Sequence, residues 1–357
     1  MNRALVLTCM MLLAPEWAQA QDFSAVDAVV EPHIGDDAPG LAVLVMLDGD
    51  VLLARGYGLA DLDSETPVDE HTLFDLASLS KQMTGLATML LIEDGVLSED
   101  TPVDEVLPAF AGQQTDYRSL LVRDLVHHLS GLPDYLNDDD FAYADETTNA
   151  EVVDWLAGAP RDRAPGTAFD YSNSGYLTLA SLVAAADGAE SLSDVLHERV
   201  WDALGMDETG LVTPTDPDAL ATGYAGTGGD FVEASEPTVT EGDGNVFTSI
   251  ADLAKYEAAI SGHELLGATA TGALFSNAML DDGTPLTQDD GAGYGFGWNL
   301  DTMDGERIAY HDGSWYGTAT AYLRNLDSGL TVILLSNGED LGAMELAEEI
   351  AAVVQDD

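Results

Sequence analysis

Only two lysines occur in this chain of 357 residues, and one of them, Lys81, lies three positions after Ser78. The apolar pattern that follows predicts a helix over 78–93, and helical residues three apart lie on the same face. A desolvated, neutral amine in such a position can accept the serine proton and make the oxygen a nucleophile. Ser78 is therefore the candidate nucleophile and Lys81 the candidate general base. An ordinary lysine on the helix surface is the alternative.

A second polar group, Tyr171-Ser172-Asn173, comes just before another predicted helix. A tyrosine hydroxyl beside a lysine amine can relay a proton, and an asparagine amide can hold a substrate carbonyl. Tyr171 is the candidate proton relay and Asn173 a candidate substrate-binding residue. The same residues also fit a helix-capping asparagine beside a core tyrosine.

A third group, His311-Asp312-Gly313-Ser314, lies between strands predicted at 307–310 and 318–324. Glycine at a strand lets a ligand approach the backbone closely. The backbone N–H groups of Ser78 and Ser314 could then form an oxyanion hole. We therefore expect His311, Gly313 and Ser314 in the substrate-binding site, although a loop histidine is the alternative interpretation.

The order Ser-x-x-Lys, Tyr-x-Asn and His-x-Gly resembles the motifs of the serine β-lactamase and penicillin-binding-protein superfamily. The chain resembles in particular the branch that holds class C β-lactamases, D-Ala-D-Ala carboxypeptidases and related esterases. The resemblance continues at 74–78, 128–133, 204–209, 242–244, 294–298 and 336–337. It implies a β-lactamase-related serine hydrolase that forms an acyl-enzyme on Ser78. Whether Lys81 or Tyr171 abstracts the serine proton stays open.

The third motif distinguishes the activities within this branch. Class C β-lactamases usually have lysine where this chain has His311, whereas carboxypeptidase-like relatives have histidine. Histidine is at most partly charged at pH 7, and Asp312 adds a negative charge, so a substrate carboxylate would be held weakly. The resemblance thus ranks D-Ala-D-Ala carboxypeptidase-like or D-amino-acid peptidase activity first, carboxylesterase activity second and β-lactamase activity third. An inactive penicillin-recognising binding module is the alternative from another class.

Strands near both ends of the chain and helices in the middle must position these groups. Apolar runs predict strands at 41–47, 51–57, 307–310, 318–324 and 330–335, and a helix at 341–354. Further helices are predicted at 78–93, 119–129, 149–156, 175–186, 191–204 and 249–260. The expected fold is α+β, an antiparallel sheet flanked by N- and C-terminal helices with a mostly helical inserted region, as in the β-lactamase/transpeptidase fold. The α/β part would cover about 21–75 and 285–357 and the helical part about 76–284.

The composition is strongly acidic, with 65 Asp and Glu against 11 Lys and Arg and a net charge of −54. Such a surface excludes nucleic acid as a partner and disfavours acidic lipid. Self-repulsion of this size destabilises a compact chain unless salt screens it, so the composition predicts a halophilic protein. A merely acidic exported protein is the alternative.

The first twenty residues are typical of a secretory signal peptide. Arg3 precedes an apolar run over 4–14, and Ala18-Gln19-Ala20 is a typical cleavage site. That run is too short for a membrane anchor, so the mature domain over 21–357 is expected in the periplasm or outside the cell. The only cysteine, Cys9, lies in this segment, and no metal-ligand spacing occurs. We expect no metal or cofactor, and a small-molecule or peptide substrate with a scissile amide, ester or lactam bond.

Overall fold

The computed structural model describes residues 23–35, 37–112, 117–236 and 238–355. The predicted signal peptide at 1–20, with Cys9, lies outside the described residues. Seven strands form the main sheet: β1 (Leu41–Leu47), β2 (Asp50–Tyr57), β3 (Gly293–Tyr294), β4 (Asn299–Met303), β5 (Glu306–Trp315), β6 (Thr318–Asn325) and β7 (Leu330–Ser336). Short strands elsewhere cover Leu59–Asp61, Thr66–Pro67, Phe74–Asp75, Gly210–Leu211, Tyr224–Ala225, Val232–Glu233 and Val246–Thr248.

The helices lie mainly between β2 and β3 in the chain. They are α1 (Ser24–Val30), α2 (Lys81–Glu93), α3 (Val103–Val106), α4 (Val122–Val126), α5 (Asn149–Gly158), α6 (Asn173–Asp187), α7 (Leu192–Leu196), α8 (Asp202–Leu204), α9 (Ile250–Ser261), α10 (Ala268–Leu274) and α11 (Ala343–Gln355). A π-helical turn, His197–Trp201, joins α7 to α8, and 3-10 turns cover Glu31–His33, Ala77–Ser80 and Pro108–Phe110.

The main sheet is antiparallel, in the order β3-β4-β5-β6-β7-β1-β2, so the first of its strands in the chain, β1, pairs with the last, β7. Alternate side chains of a strand point to opposite faces. In β1, Val43 and Val45 pack in one core with α1 and α11, whereas Leu44 and Met46 pack in a second core with the helical region. Because both faces are covered, β1 and β7 are continuous apolar runs, which made them visible in the sequence.

The structure corrects the prediction at two elements near the site. The third motif does not follow its strand: β5 continues through it, with Gly313 paired to Thr320 and Ser314 to Ala319. The helix predicted at 119–129 is only α4, five residues long. It ends before His128, whose φ of +57° lies in the left-handed region and cannot continue an α-helix. The division into an α/β part and a helical part stays a prediction.

Candidate active site

Ser78 and Lys81 lie on a single turn, where the 3-10 turn Ala77–Ser80 runs into α2. The Nζ atom of Lys81 is 3.1 Å from Oγ of Ser78, and the lysine side chain is fully buried. The same nitrogen donates to Oδ1 of Asn173 at 2.9 Å and to the carbonyl oxygen of Asp243 at 2.6 Å. Two fixed acceptors therefore hold the amine against the serine hydroxyl.

The turn that carries Ser78 is strained and tied to its surroundings. Ala77 has a φ of +48°, which is uncommon for a residue other than glycine. Its N–H donates to Oδ1 of Asp75 at 2.8 Å. The carbonyl of Leu76 accepts from Oγ1 of Thr320, on β6, at 3.0 Å. The sheet thus fixes the start of this helical segment, whose first N–H groups have no acceptor within the helix.

Strand β5 passes against this turn at Gly313. A Cβ atom on Gly313 would lie 2.3 Å from the carbonyl oxygen of Leu76 and 3.2 Å from Cβ of Ala77. Only glycine therefore allows the strand and the turn to approach so closely. The next residue, Ser314, is exposed and lines the same cleft as Ser78.

A cleft of about 540 Å³ opens above this arrangement. Four of the seven predicted site residues line it, and three lie behind its wall. The lining residues among the seven are Ser78, Tyr171, Asn173 and Ser314, and those behind are Lys81, His311 and Gly313. The cleft also contains two carboxyl groups and an aromatic wall, contributed by Asp75, Asp243, Tyr135, Tyr143 and Trp315.

The segment Tyr171-Ser172-Asn173 leads into α6, which begins at Asn173, and its hydrogen bonds show which residue caps that helix. The N-cap is Ser172, whose hydroxyl accepts from the N–H of Gly175 at 3.0 Å. Asn173 does not cap: its N–H and Nδ2 donate to Oδ2 of Asp134 at 3.0 and 3.2 Å, which leaves Oδ1 for Lys81. Tyr171 is 40% exposed and so is not a core residue.

The imidazole ring of His128 packs against the ring of Tyr171. Their ring centroids are 4.4 Å apart, and Lys81 Nζ lies 4.9 Å from the centre of the tyrosine ring. Nδ1 of His128 accepts from the N–H of Ser172 at 3.0 Å. Burial holds the pKa of His128 well below its usual range. The neutral imidazole thus packs against Tyr171 and fixes the backbone that follows it.

His311 is buried on β5 rather than presented to the cleft. Its Nδ1 donates to the carbonyl of Asp312 at 2.6 Å, so Nε2, 3.3 Å from the hydroxyl of Tyr294, is the acceptor nitrogen. Burial lowers the pKa of His311 to about 4 despite the opposing effect of Asp312. His311 is therefore neutral at pH 7 and supplies no positive charge to a substrate carboxylate.

Four side chains that hold this arrangement together are not among the predicted site residues. They are Asp75, His128, Asp134 and Asp243. Three lie inside the stretches that carry the family resemblance, at 74–78, 128–133 and 242–244, and Asp134 directly follows one of them. Their place in those stretches is the signal that could have found them, because the contacts of His128, Asp134 and Asp243 join residues far apart in sequence.

Two further features were sought among the described residues, a cluster of metal-ligand side chains and a membrane-spanning helix. Among them, no group of three or more His, Cys, Asp and Glu side chains could hold a metal ion. No helix within that part of the chain has the length and apolar character needed to cross a bilayer.

Comparison with known proteins identifies the family. The Beta-lactamase family model matches residues 26–355. Penicillin-binding protein 4* of Bacillus subtilis is 32% identical over 84% of this chain and 68% of its own length. The D-aminopeptidase of Brucella anthropi is 32% identical over 91% of this chain and 61% of its own length. The chain belongs to the Beta-lactamase family and, with it, to the serine hydrolases, as the resemblance predicted.

A solved structure shows the same fold. The D-amino acid amidase of Ochrobactrum anthropi SV3, in complex with D-phenylalanine, superposes with a TM-score of 0.78 over 93% of this chain and 98% of its own, at 21% identity. The predicted α+β fold class is therefore confirmed. The chain spans only about three fifths of the length of the D-aminopeptidase it matches, at 61%.

Proposed function

We propose that this protein is an exported serine hydrolase that cleaves amides and esters of D-amino acids through an acyl-enzyme on Ser78. The observation that carries the proposal is the fully buried Lys81 amine 3.1 Å from Oγ of Ser78. The family supports it, and so do the names of two similar proteins, a D-aminopeptidase and a D-amino acid amidase. Export rests on the signal-like segment at 1–20 alone.

The contacts of Lys81 favour the lysine as the base. A neutral amine has two N–H donors and one lone pair. In the neutral form that a general base requires, the two donors match Oδ1 of Asn173 and the carbonyl of Asp243, and the lone pair then remains for the hydroxyl of Ser78, 3.1 Å away. Lys81 then takes the serine proton as Oγ attacks the substrate carbonyl carbon.

The remaining steps use the groups around the cleft. Backbone N–H groups of Ser78 and Ser314 stabilise the negative oxygen of the tetrahedral intermediate. Tyr171, above the lysine, passes the proton to the leaving amine or alcohol, and the C–N or C–O bond breaks. A water molecule then attacks the acyl-enzyme, its proton returns through the same groups, and the acid is released from Ser78.

Charge ranks the substrates. Of the residues that line the cleft in the described part of the chain, none is lysine or arginine, and His311 behind it is neutral. Penicillins and peptides ending in D-Ala-D-Ala carry a carboxylate that a cation in the cleft would have to bind. They therefore fit this cleft less well than amides and esters that carry no carboxylate. A carboxylesterase is the second candidate, because an ester requires the same nucleophile and no charged anchor.

Side-by-side hydrolysis tests the proposal. In molar NaCl we expect turnover of D-alanine p-nitroanilide and of a short-chain p-nitrophenyl ester, with the L-alanine anilide and a cephalosporin much slower. The Ser78→Ala variant should lose all of these activities. Full activity in that variant, or a preference for the L-anilide, would contradict the proposal.

A further inference from the structure

Asp243 is a carboxylate that the mechanism does not use. Its side chain is 7% exposed and belongs to the wall of the active-site cleft. Oδ2 accepts from the hydroxyl of Tyr135 at 2.8 Å, which fixes the orientation of the group. Oδ1 is buried and makes no hydrogen bond to another residue in the described part of the chain. A buried acceptor left without a partner is unfavourable, so a ligand that donates to it gains binding energy.

Asp243 lies close to the part of the cleft that would receive the acyl half of the substrate. Its backbone carbonyl accepts from Lys81 Nζ, the same nitrogen that contacts Ser78. Asp243 and Ser78 also line the same cleft, so the carboxylate belongs to the space that receives the carbonyl attacked by Ser78. In an amino-acid amide, the α-nitrogen is separated from that carbonyl by a single carbon atom.

The other residues that line the cleft favour a positively charged ligand. Besides Asp243, the described lining has one further acid, Asp75, and no lysine or arginine. Tyr135, Tyr143 and Trp315 add aromatic surface, and aromatic faces attract cations. Burial raises the pKa of Asp243 to about 6, and an incoming cation would favour its ionised form.

We propose that Asp243 is a specificity-determining residue that binds the free α-ammonium group of the residue whose carbonyl Ser78 attacks. The inference rests on the proposed function and narrows it: the protein removes a residue from the amino end of a peptide, or the amide from an amino-acid amide. It does not select substrates by a terminal carboxylate.

The test compares D-alanine p-nitroanilide with its N-acetylated form, in the wild type and in Asp243→Asn. We expect the wild type to prefer the free amine, and the variant to lose about 10- to 100-fold in the ratio of kcat/KM for the free anilide to kcat/KM for p-nitrophenyl acetate, the range for a charge-assisted hydrogen bond. Asparagine keeps an acceptor for Tyr135, and because the backbone of Asp243 also holds Lys81, the rate with the ester is the internal reference for any change at the nucleophile.

The matched control is Asp312→Asn, which removes an exposed carboxylate one residue from His311. It should leave the ratio between the two anilides unchanged, because Asp312 does not line the cleft and its exposed charge is screened by salt. Equal turnover of both anilides by the wild type, or an equal loss of both in Asp243→Asn, overturns the inference and leaves the serine hydrolase intact. No turnover of any of the substrates overturns both.

Discussion

The amine of Lys81 connects the first two motifs of the site. It contacts Ser78 of the first motif and Asn173 of the second, and it lies 4.9 Å from the centre of the Tyr171 ring. Asn173 is held in turn by Asp134, so that the oxygen that accepts from the lysine is itself fixed. The geometry at Ser78 therefore depends also on Asp134, which does not line the cleft.

Lys81→Ala tests the role of the base. We expect kcat/KM for esters and anilides to fall by about 10² to 10⁴, the usual contribution of a general base. The matched control is Lys255→Ala, which removes the only other lysine, a partly exposed side chain paired with Asp252 on α9. Steady-state kinetics should show a normal rate for Lys255→Ala. A similar loss in both variants, or none in Lys81→Ala, contradicts the assignment.

The sequence predicted the contact between Ser78 and Lys81 better than the side chains that orient them. Ser78 and Lys81 were found because lysine is rare and the two lie one helical turn apart. Asp243 reaches Lys81 across 162 positions, and no spacing rule covers such a contact. The burial of His311 likewise depends on Tyr294 and on the neighbouring strand, so its neutral state could not be inferred from the motif.

Among the elements, the contact between β5 and the turn that carries Ser78 determines the geometry of the proposed oxyanion hole. Gly313 touches the carbonyl of Leu76, and Thr320 on the next strand hydrogen-bonds to the same oxygen. The two N–H donors proposed for the oxyanion come from these two elements. The distance between these two N–H donors thus depends on the absence of a side chain at Gly313.

Gly313→Ala should push β5 away from the turn. The added Cβ would meet backbone, which cannot rotate aside, so we expect a lower melting temperature and a loss of about 10²- to 10³-fold in kcat from the displaced oxyanion donor. Gly272→Ala is the control, because its Cβ meets nothing within 4 Å and it lies inside α10. That variant should keep its activity and melt at the same or a higher temperature. Normal kcat in Gly313→Ala would contradict the role given to β5.

The elements themselves were predicted where apolar residues are continuous and missed where polar ones interrupt them. Strands β1 and β7 were found because both of their faces are buried. The motif His311-Asp312-Gly313-Ser314 is polar and was expected between strands, yet pairing with β6 keeps it extended. The helix α4 ends earlier than predicted because the backbone of His128 is left-handed and cannot continue an α-helix.

For the whole molecule, charge is the dominant feature. The net charge is −54, and basic residues such as Arg118 and Arg324 already pair with acids, Arg118 with Asp124 and Asp281 and Arg324 with Glu257. The excess carboxylates therefore repel one another through solvent. Because such repulsion is screened by salt, the fold should be more stable at high salt concentration than in dilute buffer.

Thermal melting measures this directly. Between about 0.05 and 1 M NaCl, where the Debye length falls to roughly 3 Å, we expect the melting temperature to rise by at least about 5 °C. Sucrose at matched osmolarity is the control, since it acts by exclusion and screens no charge. A melting temperature that stays constant in salt, or rises as much in sucrose, excludes the halophilic interpretation.

The most direct test of the central claim is to trap the acyl group on the enzyme. The protein is mixed with a p-nitrophenyl ester in molar NaCl, quenched in acid within the first turnover, and mapped by peptide mass spectrometry. We expect one acyl group on the peptide that contains Ser78, and none in Ser78→Ala. An acyl group on another residue, or hydrolysis at full rate by Ser78→Ala, would contradict the assignment of Ser78 as the nucleophile.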